Sequence, residues 1–171
     1  MNKRIRNLHY LFHPESIAFI GATETPGKWG YEIFNRLKIT GWKGRLYPVN
    51  PGRDSVLGFK AYPTVMDIPD DIDLAIFTIP AKPVLASVER CIEKKVKAGL
   101  VISAGFKETG GENIALEEEL VELARPGDMI IVGPNCQGIC TPSEQLFPMM
   151  PNFLPRKGTV AVVSQSGNVT N

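Results

Sequence analysis

The string GATETPGKWG, residues 21–30, places three glycines and two threonines directly after an apolar run, residues 17–20, and directly before a stretch of helical pattern that ends near Thr40. A turn from strand to helix exposes unpaired backbone N–H groups at the positive end of the helix dipole, which is a ready anion site. Gly21 allows the tight turn, Gly27 and Gly30 allow close approach of a ligand and of the helix, and Thr23 offers a hydroxyl to a phosphate. A glycine-rich string alone is weak evidence, so its setting between strand and helix carries the reading.

A second group, Val49, Asn50, Pro51 and Arg53, ends the next apolar run about twenty residues after Gly30. A site for NAD ordinarily has Asp or Glu here to bind the ribose hydroxyls, and Asn50 stands in that place. Arg53 is a bidentate cation suited to an additional phosphate, either the 3′-phosphate of coenzyme A or the 2′-phosphate of NADP. Three further groups close later runs: Ile79, Pro80 and Ala81 with Lys82; Ser103 to Phe106; and the Gly-Pro-Asn-Cys-Gln-Gly string with Asn135 and Cys136. Pro80 and Pro134 also end strands for plain structural reasons; what joins these groups is their common position after a strand.

The elements that must position these residues follow from periodicity. Short apolar or β-branched runs at residues 16–20, 45–49, 73–79, 99–103, 129–132 and 159–163 read as strands, mostly apolar throughout, as strands covered on both faces are. Between 83 and 98, Val84, Leu85, Val88, Ile92 and Val96 recur at helical spacing among charged residues, and 113–125 repeats the pattern with a Glu-rich exterior. Residues 56–62 form a short extended excursion, and 64–68 fit one helical turn. The fold class is therefore α/β: a Rossmann-like, doubly wound, mainly parallel sheet with helices on both faces and ligand loops at the carboxyl ends of its strands.

Composition narrows the classes. With 171 residues, 43% hydrophobic and 22% charged, the chain has one well-packed domain and little more. Nineteen basic residues against 18 acidic ones leave no global field to draw nucleic acid, and no apolar run approaches the roughly 20 residues that span a bilayer. The basic start has no long apolar segment or cleavage pattern of a secretory signal, and the three cysteines make no paired framework, so a cytoplasmic location is expected. Cys136 and Cys140 lack a neighbouring histidine, and His9 and His13 lie far off in the chain, so no metal site is expected. Residues 1–157 are read as the cofactor-binding domain and 158–171 as the truncated opening strand and loop of a second domain. Ser164, Ser166 and Gly167 form that loop, a polar turn that suits a phosphate or is a turn only.

Taken in order, SIAFIGATETPGKWGYEIF, LYPVNP, LGFKAYPTVMDIP, DLAIFTIPAK, VISAGFKETG, GPNCQGI and VAVVSQSGN resemble the CoA-binding domain of NDP-forming acyl-CoA synthetases. The chain is most similar to the ADP-forming acetyl-CoA synthetase group and more distantly to the α subunit of succinyl-CoA synthetase; the same domain opens some protein lysine acetyltransferases. The resemblance implies that Gly21, Ala22, Thr23, Pro26, Gly27 and Gly30 meet CoA phosphates, and that Val49, Asn50, Pro51 and Arg53 meet its nucleotide end. It places Ile79, Pro80 and Ala81 at the third strand's end and Asn135 and Cys136 near the pantetheine thiol. Arg53 stands where relatives often carry Lys. Ser164, Ser166 and Gly167 match a phosphate loop that opens the next domain.

The parent ligase reaction so implied converts acyl-CoA, phosphate and NDP to acid, CoA and NTP through an acyl phosphate and a phosphorylated histidine. That histidine belongs to the following domain, so no residue here is expected to be catalytic and this chain alone is expected to be inactive. Its expected partners are CoA or acyl-CoA and the remaining synthetase domains or a second subunit. Three other readings stay open: a stand-alone CoA-binding regulatory protein, the opening module of a protein acetyltransferase, and an NADP-dependent oxidoreductase.

Overall fold

The structure is a computed structural model, and it describes residues 3–126 and 129–167. Five parallel strands form one sheet: β1 (Ser16–Ile20), β2 (Arg45–Val49), β5 (Leu74–Phe77), β6 (Ala98–Val101) and β7 (Ile130–Val132), in the order β2-β1-β5-β6-β7. A small antiparallel hairpin, β3 (Ser55–Val56) and β4 (Phe59–Lys60), fills the excursion after β2. Among the described residues the α-helices are α1 (Lys3–Phe12), α2 (Trp29–Ile39), α3 (Ala81–Glu93) and α4 (Asn113–Ala124).

Both faces of the sheet are covered, which explains its apolar strands. Alternate side chains of β1 separate into two cores: Ile17 and Phe19 pack with Ile33, Phe34 and Leu37 of α2, whereas Ala18 and Ile20 join Val84, Val88 and Cys91 of α3. Phe19, Phe34 and Phe59 continue edge to face, with ring centroids 5.4 and 5.6 Å apart. On the α3 side, Tyr47 donates its hydroxyl hydrogen bond to Asp70; burial first, then that bond, pushes the phenol up to about 12.

Several boundaries move. β5 stops at Phe77 and not at residue 79, because Ile79 and Pro80 turn away to start α3. α3 begins at Ala81, with Pro83 in its first turn, where a missing N–H costs no helical hydrogen bond. It ends at Glu93, and Lys95 at φ +63° reverses the chain into β6, which runs from Ala98 and not from residue 99. The basic start forms α1 and packs on β6 and β7, with Leu11 buried.

The run 159–163, expected as a strand, has no strand structure, and Val160, Val162 and Val163 are 86%, 69% and 95% exposed. A strand exists through its ladder of hydrogen bonds, and these residues pair with none of the described strands. The chain before them is well anchored: residues 138–149 fold back through two antiparallel bridges, and the buried Arg36 of α2 donates to the carbonyl of Met149 and, at 3.4 Å, to Asn152 Oδ1.

Candidate functional site

The strand order reverses between β1 and β5: from β1 the chain winds outward to β2, then crosses back to β5 and continues the other way. At such a switch point the loops leave in opposite directions and open a crevice at the carboxyl ends of the strands. Gly21 stands in that crevice at φ +96°, its N–H bonded to the carbonyl of Val49 at 3.1 Å. A Cβ there would lie 2.8 Å from both Ile79 Cγ2 and Thr78 Oγ1. Gly30 is equally constrained, since its Cβ would be 2.1 Å from the Gly21 carbonyl oxygen. Two glycines thus let the first turn of α2 sit directly on the turn after β1.

In that first turn Trp29 is exposed and Gly30 is buried. Lys28 precedes α2 without a side-chain cap, and the amides of Trp29 and Gly30 have no acceptor among the described residues. The amide of Gly27, at φ +81° in open surroundings, donates to Glu32 Oε1 at 2.9 Å. Thr23 holds the loop internally, its Oγ1 accepting from the Thr25 amide and donating to Thr25 Oγ1, each at 3.3 Å. Ala22 is fully buried, Gly21 and Thr23 beside it are half-buried, and residues 24–29, Pro26 among them, are exposed, so Ala22 anchors the loop.

Asn50 does work that its sequence position does not announce. Its Nδ2 donates to the Ala22 carbonyl at 2.8 Å and its Oδ1 accepts from the Gly52 amide at 2.9 Å, so the side chain clamps the glycine-rich loop to the turn after β2. Arg53 reaches the same loop, where its Nη1 lies 3.0 Å from Glu24 Oε2. The cation expected to be free for a phosphate therefore holds a carboxylate.

Beside this cradle lies a cleft of about 350 Å³ whose lining is mostly apolar. Gly21, Val49, Asn50, Pro51, Ile79 and Pro80, all singled out in the sequence, line it. Ala81 lies just behind, buried in the first turn of α3. Thr64, Ser87 and Arg90 also line the cleft. Pro83, Ser87 and Arg90 follow one another at helical spacing four and three apart, the signal that would have found them on the face leading away from Pro80.

Asn135 and Cys136 stand elsewhere on the same edge, after β7. Gly133 must be glycine, since a Cβ would be 2.3 Å from the Val101 carbonyl oxygen; Asn135, at φ +51°, donates its N–H to the Ser103 carbonyl at 3.0 Å. Cys136 Sγ lies 3.4 Å from the Val101 carbonyl, and burial pushes its thiol up. Neighbouring strands are ~4.8 Å apart, so this turn is about 14 Å from β1 across the edge. Between them, just after β6, the hydroxyl of Ser103 is buried with no hydrogen-bond partner, an exception among buried polar groups.

The loop after β6 is held by Glu108, whose carboxylate accepts from the amides of Gly105 at 2.6 Å and Phe106 at 3.2 Å. Burial acts to raise Glu108, but these backbone donors outweigh it and hold the carboxyl below its usual value. Ser164 donates to the Ser166 carbonyl at 2.9 Å, and Gly167 packs so closely on Gln137 that a Cβ would meet its Cγ at 2.4 Å. The terminal polar turn thus lies against the loop that carries Cys136. His9 and His13 are remote from all of this: they stack at 5.0 Å in and just after α1, with His13 Nδ1 3.2 Å from Glu144. Among the described residues there is no metal-binding cluster of acidic, His and Cys side chains, and no helix is long and apolar enough to cross a membrane.

A helix start left open at a switch point, beside an apolar slot, defines a nucleotide-cofactor domain of the doubly wound class. Within that class the chain belongs to the CoA-binding domain family, whose model, described as a CoA binding domain, matches residues 15–142. The chain is similar to an ADP-forming acetate–CoA ligase of Methanocaldococcus jannaschii, 42% identical over 96% of this chain and 23% of that protein. It is similar also to the α subunit of ADP-forming acetate–CoA ligase II of Pyrococcus furiosus, 46% identical over 94% of this chain and 35% of that subunit. A crystal structure of the protein PH0766 from Pyrococcus horikoshii OT3 superposes with a TM-score of 0.89 at 47% identity, covering 95% of this chain and 37% of that one. The chain thus spans about a quarter to a third of the length of these curated relatives.

Proposed function

We propose that the chain binds CoA or an acyl-CoA in an extended pose across the carboxyl edge of the sheet, as the cofactor-presenting part of an ADP-forming acyl-CoA synthetase. The observation that carries this reading is the layout of one edge: an anion cradle and apolar cleft at β1, β2 and β5, an orphan hydroxyl at Ser103, and the Asn135–Cys136 turn about 14 Å away. A ligand that fits all three is long, anionic at one end and uncharged at the other. CoA has that shape.

In this reading the unbonded amides of Trp29 and Gly30, with Gly21, Thr23 and Gly27 around them, hold the pyrophosphate, and Pro26 borders it. Val49, Pro51, Ile79 and Pro80 give the nucleotide an apolar wall, Asn50 and Ala81 shape that wall, and Arg53 meets the 3′-phosphate. Asn135 and Cys136 border the thiol end. CoA supplies the thiol that an acyl group is transferred to or from; these residues position that thiol and shield the arm from water. The raised thiol of Cys136 stays protonated near neutral pH, which suits a neutral wall more than a nucleophile.

The remaining domains of the parent enzyme would supply the phosphorylated histidine and the nucleotide site. Residues 158–167, with exposed Val160, Val162 and Val163 and the Ser164–Gly167 turn, are read as the opening of the next domain, paired only in its presence. Titration calorimetry of this chain with CoA, dephospho-CoA and NADP tests the reading. CoA is expected to bind more tightly than either, and Arg53→Ala to reduce CoA affinity more than dephospho-CoA affinity. Preference for NADP would overturn the proposal; equal losses for the two CoA forms would move the 3′-phosphate away from Arg53.

A further inference from the structure

Arg53 is not an idle cation. Its guanidinium is held by Glu24, a residue of the glycine-rich loop itself, and the same carboxylate accepts the Leu57 amide through its other oxygen at 3.1 Å. Leu57, at φ +49°, forms the tight turn of the β3–β4 hairpin. One carboxylate therefore ties three segments together: the loop after β1, the turn after β2 and the hairpin tip. The arrangement recurs nearby, where Glu32 takes the Gly27 amide. Two donors of the cradle are thus already occupied by the chain's own anions.

We infer that Glu24 is a built-in competitor for the phosphate that Arg53 receives, and so determines how strongly the site distinguishes a coenzyme with a 3′-phosphate from one without. The inference rests on the proposed reading that CoA binds at this edge. The Glu24 and Arg53 side chains remain 40% and 45% exposed, so solvent screens their attraction and an incoming dianion, with more charge and more acceptor oxygens, displaces the carboxylate. Displacement leaves Glu24 close to the phosphate, still attached to Leu57 or turned to solvent, and the repulsion reduces affinity. A ligand lacking the 3′-phosphate leaves the Glu24–Arg53 pair intact and avoids that cost. Glu24 thereby lowers the preference for CoA over dephospho-CoA below what Arg53 alone would give, and it keeps the three segments ordered before the ligand arrives.

The test is calorimetry of the 171-residue chain and its Glu24→Gln variant with CoA and with dephospho-CoA. Gln retains an acceptor for the Leu57 amide and removes the charge, and the exposed site makes folding insensitive to the change; a thermal melt verifies this. The variant is expected to bind CoA about two- to five-fold more tightly, a like-charge repulsion near a half-exposed site, with dephospho-CoA changed less than about 1.5-fold. In an Arg53→Ala background the gain should vanish, since no phosphate is then drawn to Glu24. Unchanged or weaker CoA binding by Glu24→Gln, or equal change for both ligands, overturns the inference while leaving CoA binding itself intact. Failure of the unaltered chain to bind either CoA form would instead overturn the proposed function, and this inference with it.

Discussion

Removing the Asn50 side chain separates two roles that the sequence alone leaves merged. In the structure Asn50 bonds the Ala22 carbonyl and the Gly52 amide, at 2.8 and 2.9 Å, and clamps the loop that forms the anion cradle. Each such bond contributes about 1 kcal/mol net, and the fully buried Ala22 would be left short of a partner, so Asn50→Ala should cost roughly 2 kcal/mol of stability. For a chain of this size that corresponds to a fall in melting temperature of about 4–8 °C. A loop no longer pinned should also bind CoA roughly ten-fold more weakly, since part of the binding free energy must then order it. Asn50→Asp sharpens the test: the acceptor for Gly52 remains, while an oxygen now faces the Ala22 carbonyl and a negative charge enters the phosphate site. It should match the alanine variant in stability loss and exceed it in affinity loss. Differential scanning calorimetry and titration calorimetry on the same samples read both quantities. An unchanged melt with weakened binding would show Asn50 to be a ligand contact with no clamping role, and the reasoning would fail.

Two further perturbations address other parts of the account. Gly30→Ala places a methyl where the Gly21 carbonyl oxygen already sits, 2.1 Å from its Cβ, so the first turn of α2 must shift; a loss of about 1–3 kcal/mol is expected together with weaker CoA binding, and a variant that melts and binds like the parent would contradict the close packing. The three cysteines should alkylate in the order Cys140, Cys136, Cys91 at neutral pH. All three thiols are raised by burial, Cys91 to about 12 with no exposure, while Cys140 is exposed, and peptide mass spectrometry after timed iodoacetamide treatment reads the order. CoA should slow Cys136 specifically; protection of Cys140 instead would misplace the thiol end.

The strands and crossover helices were legible because a sheet buried on both faces demands unbroken apolar runs, and Ile17 to Ile20 or Leu74 to Phe77 meet that demand whatever their neighbours do. The glycine-rich turn was legible for a related reason: Gly21 sits at positive φ against Ile79 and Thr78, and Gly30 against the Gly21 carbonyl, where no side chain fits. What stayed hidden depends on tertiary partners. Nothing local to Arg53 reveals that Glu24, twenty-nine residues earlier, neutralises it, nor that Asn50 serves a carbonyl across the loop. The apolar pattern of residues 159–163 makes a strand only when these residues pair with another, and they pair with none of the described strands. Ser87 and Arg90 lay within reach of reasoning from helical spacing, yet only the position of α3 beside the switch point turns that face into a cleft wall.

The central claim, an extended CoA lying across one edge, is tested most directly by amide hydrogen exchange of the chain with and without saturating CoA. Protection is predicted at two separated places, residues 21–30 and 133–137, with residues 14–15 and 42–45 at the opposite edge unchanged. Protection of the opposite edge, or of the glycine-rich loop alone with no effect on the Asn135–Cys136 turn, would contradict it.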